Sequence, residues 1–224
     1  MPRVGRIVIP GCPHHITQRG NNRQDVFFVD DDRRAYLAIL KDRAERECLS
    51  VDGYCLMDNH VHLIATPERA DSIAKAVGRT NFLYTQYVNR LHARSGHLWQ
   101  NRFYSCALDD EHFWAAMAYV ERNPVRSKII RRAWRYAWSS AAAHCGASDK
   151  SELLDLGEWR KLLDVAAWKD TLCDPTDDDD LVRLRLNTSR GRPLGSDSFV
   201  SKLERALGRR LRPLPVGRPK KKNK

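Results

Sequence analysis

The spacing of apolar positions changes several times along this chain, and each change marks a new element. From Ile7 to Gln18 a short apolar stretch, broken by Pro10-Gly11-Cys12-Pro13, runs into His14-His15-Ile16-Thr17 and predicts a strand entered from a turn. Asp30-Asp31-Asp32 places negative charge where a helix N-terminus favours it, and Tyr36, Leu37, Leu40, Ala44 and Cys48 follow at helical spacing. Two strand-like runs, 49 to 57 and 60 to 65, are separated by Asp58-Asn59 and predict a β-hairpin closed by Pro67. Residues 71 to 91 carry Ile73, Val77, Leu83, Tyr84, Tyr87 and Leu91 on the apolar side of a long helix. After Gly96, residues 98 to 108 read as an edge-type strand, and Asp109-Asp110-Glu111 opens a helix over 113 to 122 that Asn123-Pro124 stops.

The order βαββαβ followed by a helix predicts an α+β domain over residues 1–148, an antiparallel sheet with helices packed on one face. After Trp134 and Trp138 the composition changes. Residues 149–224 read as an accessory region with one helix around 153 to 168, a short helix over 198 to 207, and a last dozen residues without fixed structure.

Charge sharpens that division. The chain has 224 residues and a net charge of +11, unevenly spread. Residues 1–148 hold 21 Lys and Arg against 15 Asp and Glu, residues 149–180 hold 4 against 11, and residues 181–224 hold 14 against 2. A segment as basic as the last attracts a polyanion, of which nucleic acid is the commonest inside cells; the plainer alternative is a solvated tail that keeps the protein in solution. Deleting 181–224 is expected to weaken DNA binding while sparing chemistry that lies elsewhere. The six cysteines are scattered singly, without the paired spacing of a zinc or redox motif. No apolar run has the length of a membrane span, and residues 1–6 lack a secretory pattern, so the expectation is a cytoplasmic protein that associates with the nucleoid and not with membrane.

Candidate chemistry centres on His60 and His62. Two apart on a strand, they project from one sheet face, as a chelating pair would, although packed or surface histidines share this spacing. Tyr119 and Asn123, four apart, share one face of the following helix. The Asn123 amide oxygen could complete a site with the two imidazoles, a mixed set suited to Mn²⁺ or Mg²⁺; alternatively Tyr119 packs on the sheet and Asn123 only ends the helix.

Four blocks carry a resemblance. Pro10-Gly11 with His15-Ile16-Thr17-Gln18-Arg19-Gly20-Asn21, Tyr54-Cys55-Leu56-Met57-Asp58-Asn59-His60-Val61-His62-Leu63, Gly96-His97-Leu98-Trp99-Gln100-Asn101-Arg102-Phe103 and Tyr119-Val120-Glu121-Arg122-Asn123-Pro124-Val125-Arg126 together resemble the REP-associated tyrosine transposases. These belong to the single-tyrosine HUH superfamily of IS200-like transposases. The resemblance spans about residues 3 to 140. It implies a ferredoxin-like core whose histidine strand lies at the sheet centre, facing a helix that bears the nucleophile. His60 and His62 match the metal-binding pair, Tyr119 matches the nucleophile, and Asn123 stands where related enzymes often have Gln as third ligand.

The implied reaction is cleavage and strand transfer on single-stranded or hairpin DNA of the REP palindrome type, through a 5′-phosphotyrosine intermediate. Arg19, Arg23, Arg102 and Arg126 flank the blocks as DNA contacts, and Trp99 and Phe103 are candidates to stack on unpaired bases or to fill the core. Arg192, Arg218, Lys220, Lys221 and Lys222 belong to Gly-Arg-Pro elements and the basic end, which resemble minor-groove AT-hook segments. A DNA-binding repressor that no longer cleaves and a metal-dependent phosphoesterase using activated water remain as competing readings, and monomer and homodimer are both open.

Overall fold

A computed structural model of the protein describes residues 6–174 and 178–213. In chain order its main elements are β1 (His14–Arg19), α1 (Asp30–Arg46), β2 (Leu49–Met57), β3 (His60–Pro67), α2 (Ser72–Leu91), β4 (Tyr104–Ala107) and α3 (Asp110–Glu121). They continue with α4 (Asn123–Arg126), α5 (Ala141–His144), α6 (Leu156–Leu162), α7 (Val165–Cys173), α8 (Asp178–Arg190) and α9 (Asp197–Leu207). The four strands form one antiparallel sheet in the order β2-β3-β1-β4, so the two central strands are β3 and β1. This is the α+β arrangement expected from the βαββαβ order and the ferredoxin-like core that the resemblance implies.

Helices cover both faces of the sheet, not one. Ile16, Tyr54, Leu56, Val61, Leu63 and Ala65 point toward α1 and α2 and pack with Tyr36, Leu40, Ile73, Val77 and Tyr84. The alternate residues Cys55, Met57, Ile64 and Cys106 point the other way, into a second core with Met117, Tyr119, Trp168, Leu181, Leu184 and Leu194. The period-two alternation of each strand therefore feeds two apolar cores, because a sheet buried on both sides needs apolar residues at consecutive positions.

The second core draws on the region after residue 148. The helix expected near 153 to 168 is two helices, broken where Asp164 caps α7 by accepting hydrogen bonds from Ala166 N and Ala167 N at 2.9 and 3.1 Å. α8 straddles the change from acidic to basic sequence, with Asp179 and Asp180 in its first turn and Arg190 at its end, an order that complements the helix dipole. The chain does not stop being helical at Pro124. α4 begins one residue after α3 ends, and Pro124 sits in its first turn, where its missing N–H is not needed. Both sheet edges are covered: Ser139 bridges to Cys55 of β2, and Leu194 N donates to Ala107 O at 2.8 Å beside β4. Among the described residues no helix is long and apolar enough to cross a membrane.

A buried polar knot fixes α3 against the later helices. Glu121, fully buried, accepts from Ser140 Oγ at 2.5 Å and Trp168 Nε1 at 2.9 Å and pairs with His144 Nδ1 at 2.6 Å. The His144 ring stacks on Trp159 with 3.6 Å between centroids. Glu121→Ala leaves several buried polar groups without a partner, so denaturant unfolding should show a loss of about 3 kcal/mol or more. A loss near zero would show that the knot contributes nothing to stability.

Candidate active site

The register of the two central strands builds the site. Thr17 lies opposite His62 and Arg19 opposite His60, and Cys55 and Met57 of β2 complete the same rows. His60 and His62 therefore project from the α3 face of the sheet, with 5.0 Å between ring centroids. α3 crosses above them. Its N-terminus is fixed by Asp109, whose Oδ1 accepts from His112 N at 3.1 Å while Oδ2 accepts from Ser196 N at 2.7 Å. Tyr119 on this helix is almost wholly buried and sets its ring edge-on to His62 and His15, at 5.4 and 5.8 Å between centroids.

Two arginines flank the tyrosine. The Arg126 guanidinium lies 4.9 Å and that of Arg185 5.6 Å from the Tyr119 ring centroid, and Arg185 Nε donates to the Tyr119 hydroxyl at 3.4 Å.

The imidazoles are held neutral. Burial, with Arg19 adding repulsion, pushes His60 down to about 4, and burial together with His60, His15, Arg19 and Arg185 pushes His62 well below the usual range. His60 Nδ1 bonds Asn59 Oδ1 at 2.6 Å and His62 Nδ1 bonds His15 Nε2 at 2.9 Å, so each ring has one nitrogen engaged. Neither Nε2 makes a hydrogen bond among the described residues. Neutral imidazoles anchored through one nitrogen with the other uncommitted are the form in which His binds a metal, so this donor pair fits a divalent ion. Among the described residues no three His, Cys, Asp or Glu side chains group as a metal site. Asn123 is buried beside the tyrosine, with its Nδ2 donating to the carbonyls of Tyr119 and Val120 at 3.2 and 3.5 Å; its side chain makes no hydrogen bond to either histidine.

Residues 9–123 of the chain, slightly more than half of it, match the family model described as Transposase IS200 like. The chain belongs to the IS200-like transposase family. No curated relative matches this transposase. Among solved structures, a REP-associated tyrosine transposase bound to a REP hairpin superposes with a TM-score of 0.53 at 15% identity, covering 66% of this chain and 93% of that one. A Deinococcus radiodurans R1 protein described as a transposase gives 0.38 at 19% identity, over 57% and 92% of the two chains. The first likeness shows a shared fold.

Other residues expected in this transposase's DNA contacts separate into rim and core. Arg19, Arg23, Arg102 and Arg126 are exposed. Trp99 is not available for base stacking: its Nε1 donates to Asn81 O at 3.1 Å and its ring packs near Tyr36 and Tyr84. Phe103 is likewise buried, with the Arg6 guanidinium 3.7 Å from its ring centroid. Both aromatics fill the space beneath the loop before β4, where apolar area is worth more buried than exposed. The first Gly-Arg-Pro element is folded rather than extended like an AT-hook. Arg192 Nη1 donates to Leu211 O at 3.0 Å, and Leu194 lies along β4. Arg218, Lys220, Lys221 and Lys222, like the last dozen residues apart from Pro213, lie outside the described residues.

Sequence reasoning missed His15, Arg185 and Thr188. His15 alternates with Thr17 on β1 and so shares the face of His62, a period-two signal present in the sequence. Arg185 and Thr188 come from α8, whose Leu181, Leu184 and Thr188 spacing was hidden by the switch from acidic to basic residues. The expectation that 181–224 can be removed without touching the chemistry is therefore corrected: Leu181, Leu184 and Leu194 are part of the core, and Arg185 reaches Tyr119.

Burial has a consequence for stability against pH. His14 and His60 are pushed to about 4 and His15 to about 3, with His62 lower than its usual range, all mainly by desolvation. Between pH 6.5 and 4 the unfolded chain binds more protons at these sites than the folded protein, so stability present above pH 6.5 is lost as pH falls. Asp52, pushed up to about 6, acts in the opposite direction but is one group against four. Denaturant unfolding should show progressively lower stability from pH 7 to pH 4.5; a flat profile would mean that the histidines are solvated.

Proposed function

We propose that this transposase nicks and rejoins single-stranded DNA, with Tyr119 as the nucleophile. The observation that carries the reading is the Tyr119 side chain set against His62 and between two arginines, on a helix fixed at both ends. A binding protein has no need of a buried phenol aimed at an imidazole pair. The phenol oxygen attacks the scissile phosphorus, the P–O3′ bond breaks, and the departing oxygen takes up a proton to leave a free 3′-hydroxyl. The product is a 5′-phosphotyrosine that conserves the bond energy, so a second 3′-hydroxyl can reverse the step without a nucleotide cofactor.

Arg126 and Arg185 offset charge on the phenolate as the proton leaves, and exposed Arg19 extends positive charge toward the phosphate backbone. His60 and His62 would hold Mn²⁺ or Mg²⁺, with Asn123 the candidate third donor; the ion would draw negative charge from a phosphate oxygen. By likeness to the solved REP-hairpin complex, the substrate is a palindrome folded as a hairpin with adjacent unpaired bases.

Incubation with a labelled palindromic oligonucleotide and Mn²⁺ should give a protein–DNA adduct that survives SDS. Tyr119→Phe should lower cleavage on the order of a thousandfold or more while leaving hairpin binding nearly unchanged. His60→Ala and His62→Ala should each lose metal-dependent cleavage, with a milder loss for Asn123→Ala. Cleaved product without an adduct would point to activated water, binding without cleavage to a repressor, and full activity in EDTA would remove the metal from the reaction.

A further inference from the structure

α8 lies beyond the residues matched by the family model, yet Thr188, on its inner face, is buried against β1 and β4. Its Oγ1 is 2.8 Å from His15 Nδ1, and His15 Nε2 is 2.9 Å from His62 Nδ1. The His15 and His62 rings are nearly parallel, 5.1 Å apart. On the far side, the Cys106 thiol donates to Ala107 O at 3.5 Å.

Each neutral imidazole has one donor and one acceptor nitrogen, so these contacts form a directed chain. In one sense the Thr188 hydroxyl presents a lone pair to His15 Nδ1. His15 then carries its proton on Nδ1 and accepts at Nε2, which requires His62 to carry its own proton on Nδ1. The chain ends at His62 Nε2 as a bare lone pair. Run in the opposite sense, it would place the last proton on His62 Nε2, which makes no hydrogen bond among the described residues, and an unmet buried donor is unfavourable.

We propose that Thr188 and His15 are positioning residues that set the tautomer of His62, so that its Nε2 lone pair faces the site. The C-terminal region thereby governs metal affinity through His15 rather than by direct ligation. The inference rests on the proposed reading of His62 as a metal ligand.

The test uses the full chain and two near-isosteric variants, Thr188→Val, which removes the hydroxyl, and Thr188→Ser, which keeps it. Mn²⁺ alone is the titrant, followed calorimetrically without DNA, and nitrogen–proton NMR correlation assigns the His62 tautomer in the metal-free proteins. Thr188→Val should bind Mn²⁺ about tenfold more weakly or worse, and Thr188→Ser should restore most of the affinity. The spectrum should place the His62 proton on Nδ1 in the wild type and move population to Nε2 in Thr188→Val.

Unchanged Mn²⁺ affinity in Thr188→Val, or a wild-type His62 protonated on Nε2, overturns the proposal. If the wild type binds no Mn²⁺, the metal reading fails and the spectra still decide the relay: a tautomer shift in Thr188→Val upholds it and identical spectra reject it. Should Thr188→Val not fold, the wild-type spectrum decides by itself, with a proton on His62 Nδ1 upholding the relay and one on Nε2 rejecting it.

Discussion

The pairing of β3 with β1 is the constraint on which the site depends. A slip of one residue would turn His60 and His62 toward α1 and α2 and bring Val61 and Leu63 under Tyr119, so the register decides whether the histidines and the tyrosine meet. Both ends of the pair are pinned. At one end Gly20 N donates to Asn59 O at 2.9 Å, Val26 N and Phe27 N both donate to Asp58 O, and Arg33 pairs with the Asp58 carboxylate. At the other end Gly11 N donates to Pro67 O at 2.7 Å, its backbone in the left-handed region that glycine tolerates. Apolar cores on both faces make a slip costly everywhere between, since it would exchange every inward residue with its neighbour.

The tyrosine depends on a separate set of contacts, because it stands on a helix and not on the sheet. A helix on a sheet can slide and roll unless something polar fixes it, and here polar groups act at both ends of α3. Asp109 joins its first turn to Ser196 before α9, and Glu121 joins its last turn to α5 and α7. Tyr119 and Glu121, two apart on a helix, face nearly opposite directions, so anchoring one against the later helices aims the other at the histidines. The region after residue 148 thus positions the site as well as adding charge.

Much of this was legible in the sequence, and the rest was hidden for identifiable reasons. The hairpin 49–57 and 60–67, the long helix 72–91 and the shared face of His60 and His62 followed from period alone. The number of helical layers did not, since a strand buried on both faces reads as a plain apolar run. Trp99 and Phe103 sit among arginines in the sequence and resemble a stacking platform, but sequence neighbours do not show which side of a loop faces the core. α8 was missed because charge, read in blocks, cut it at the acidic-to-basic boundary, while its apolar spacing runs straight across. His15 was in view within its block but unremarkable until the register set it beside His62.

Charge and burial act together at this site. Desolvation alone would lower the affinity of the imidazoles for protons, and the nearby Arg19 and Arg185 lower that of His62 further. Those arginines belong to the exposed positive rim that would draw a phosphate backbone toward the tyrosine. On the proposed reading the same cations serve two ends: they would attract the polyanion, and with burial they hold His62 unprotonated. A rim of neutral polar residues would weaken both effects at once, which ties the basic surface of the protein to the protonation state of its core.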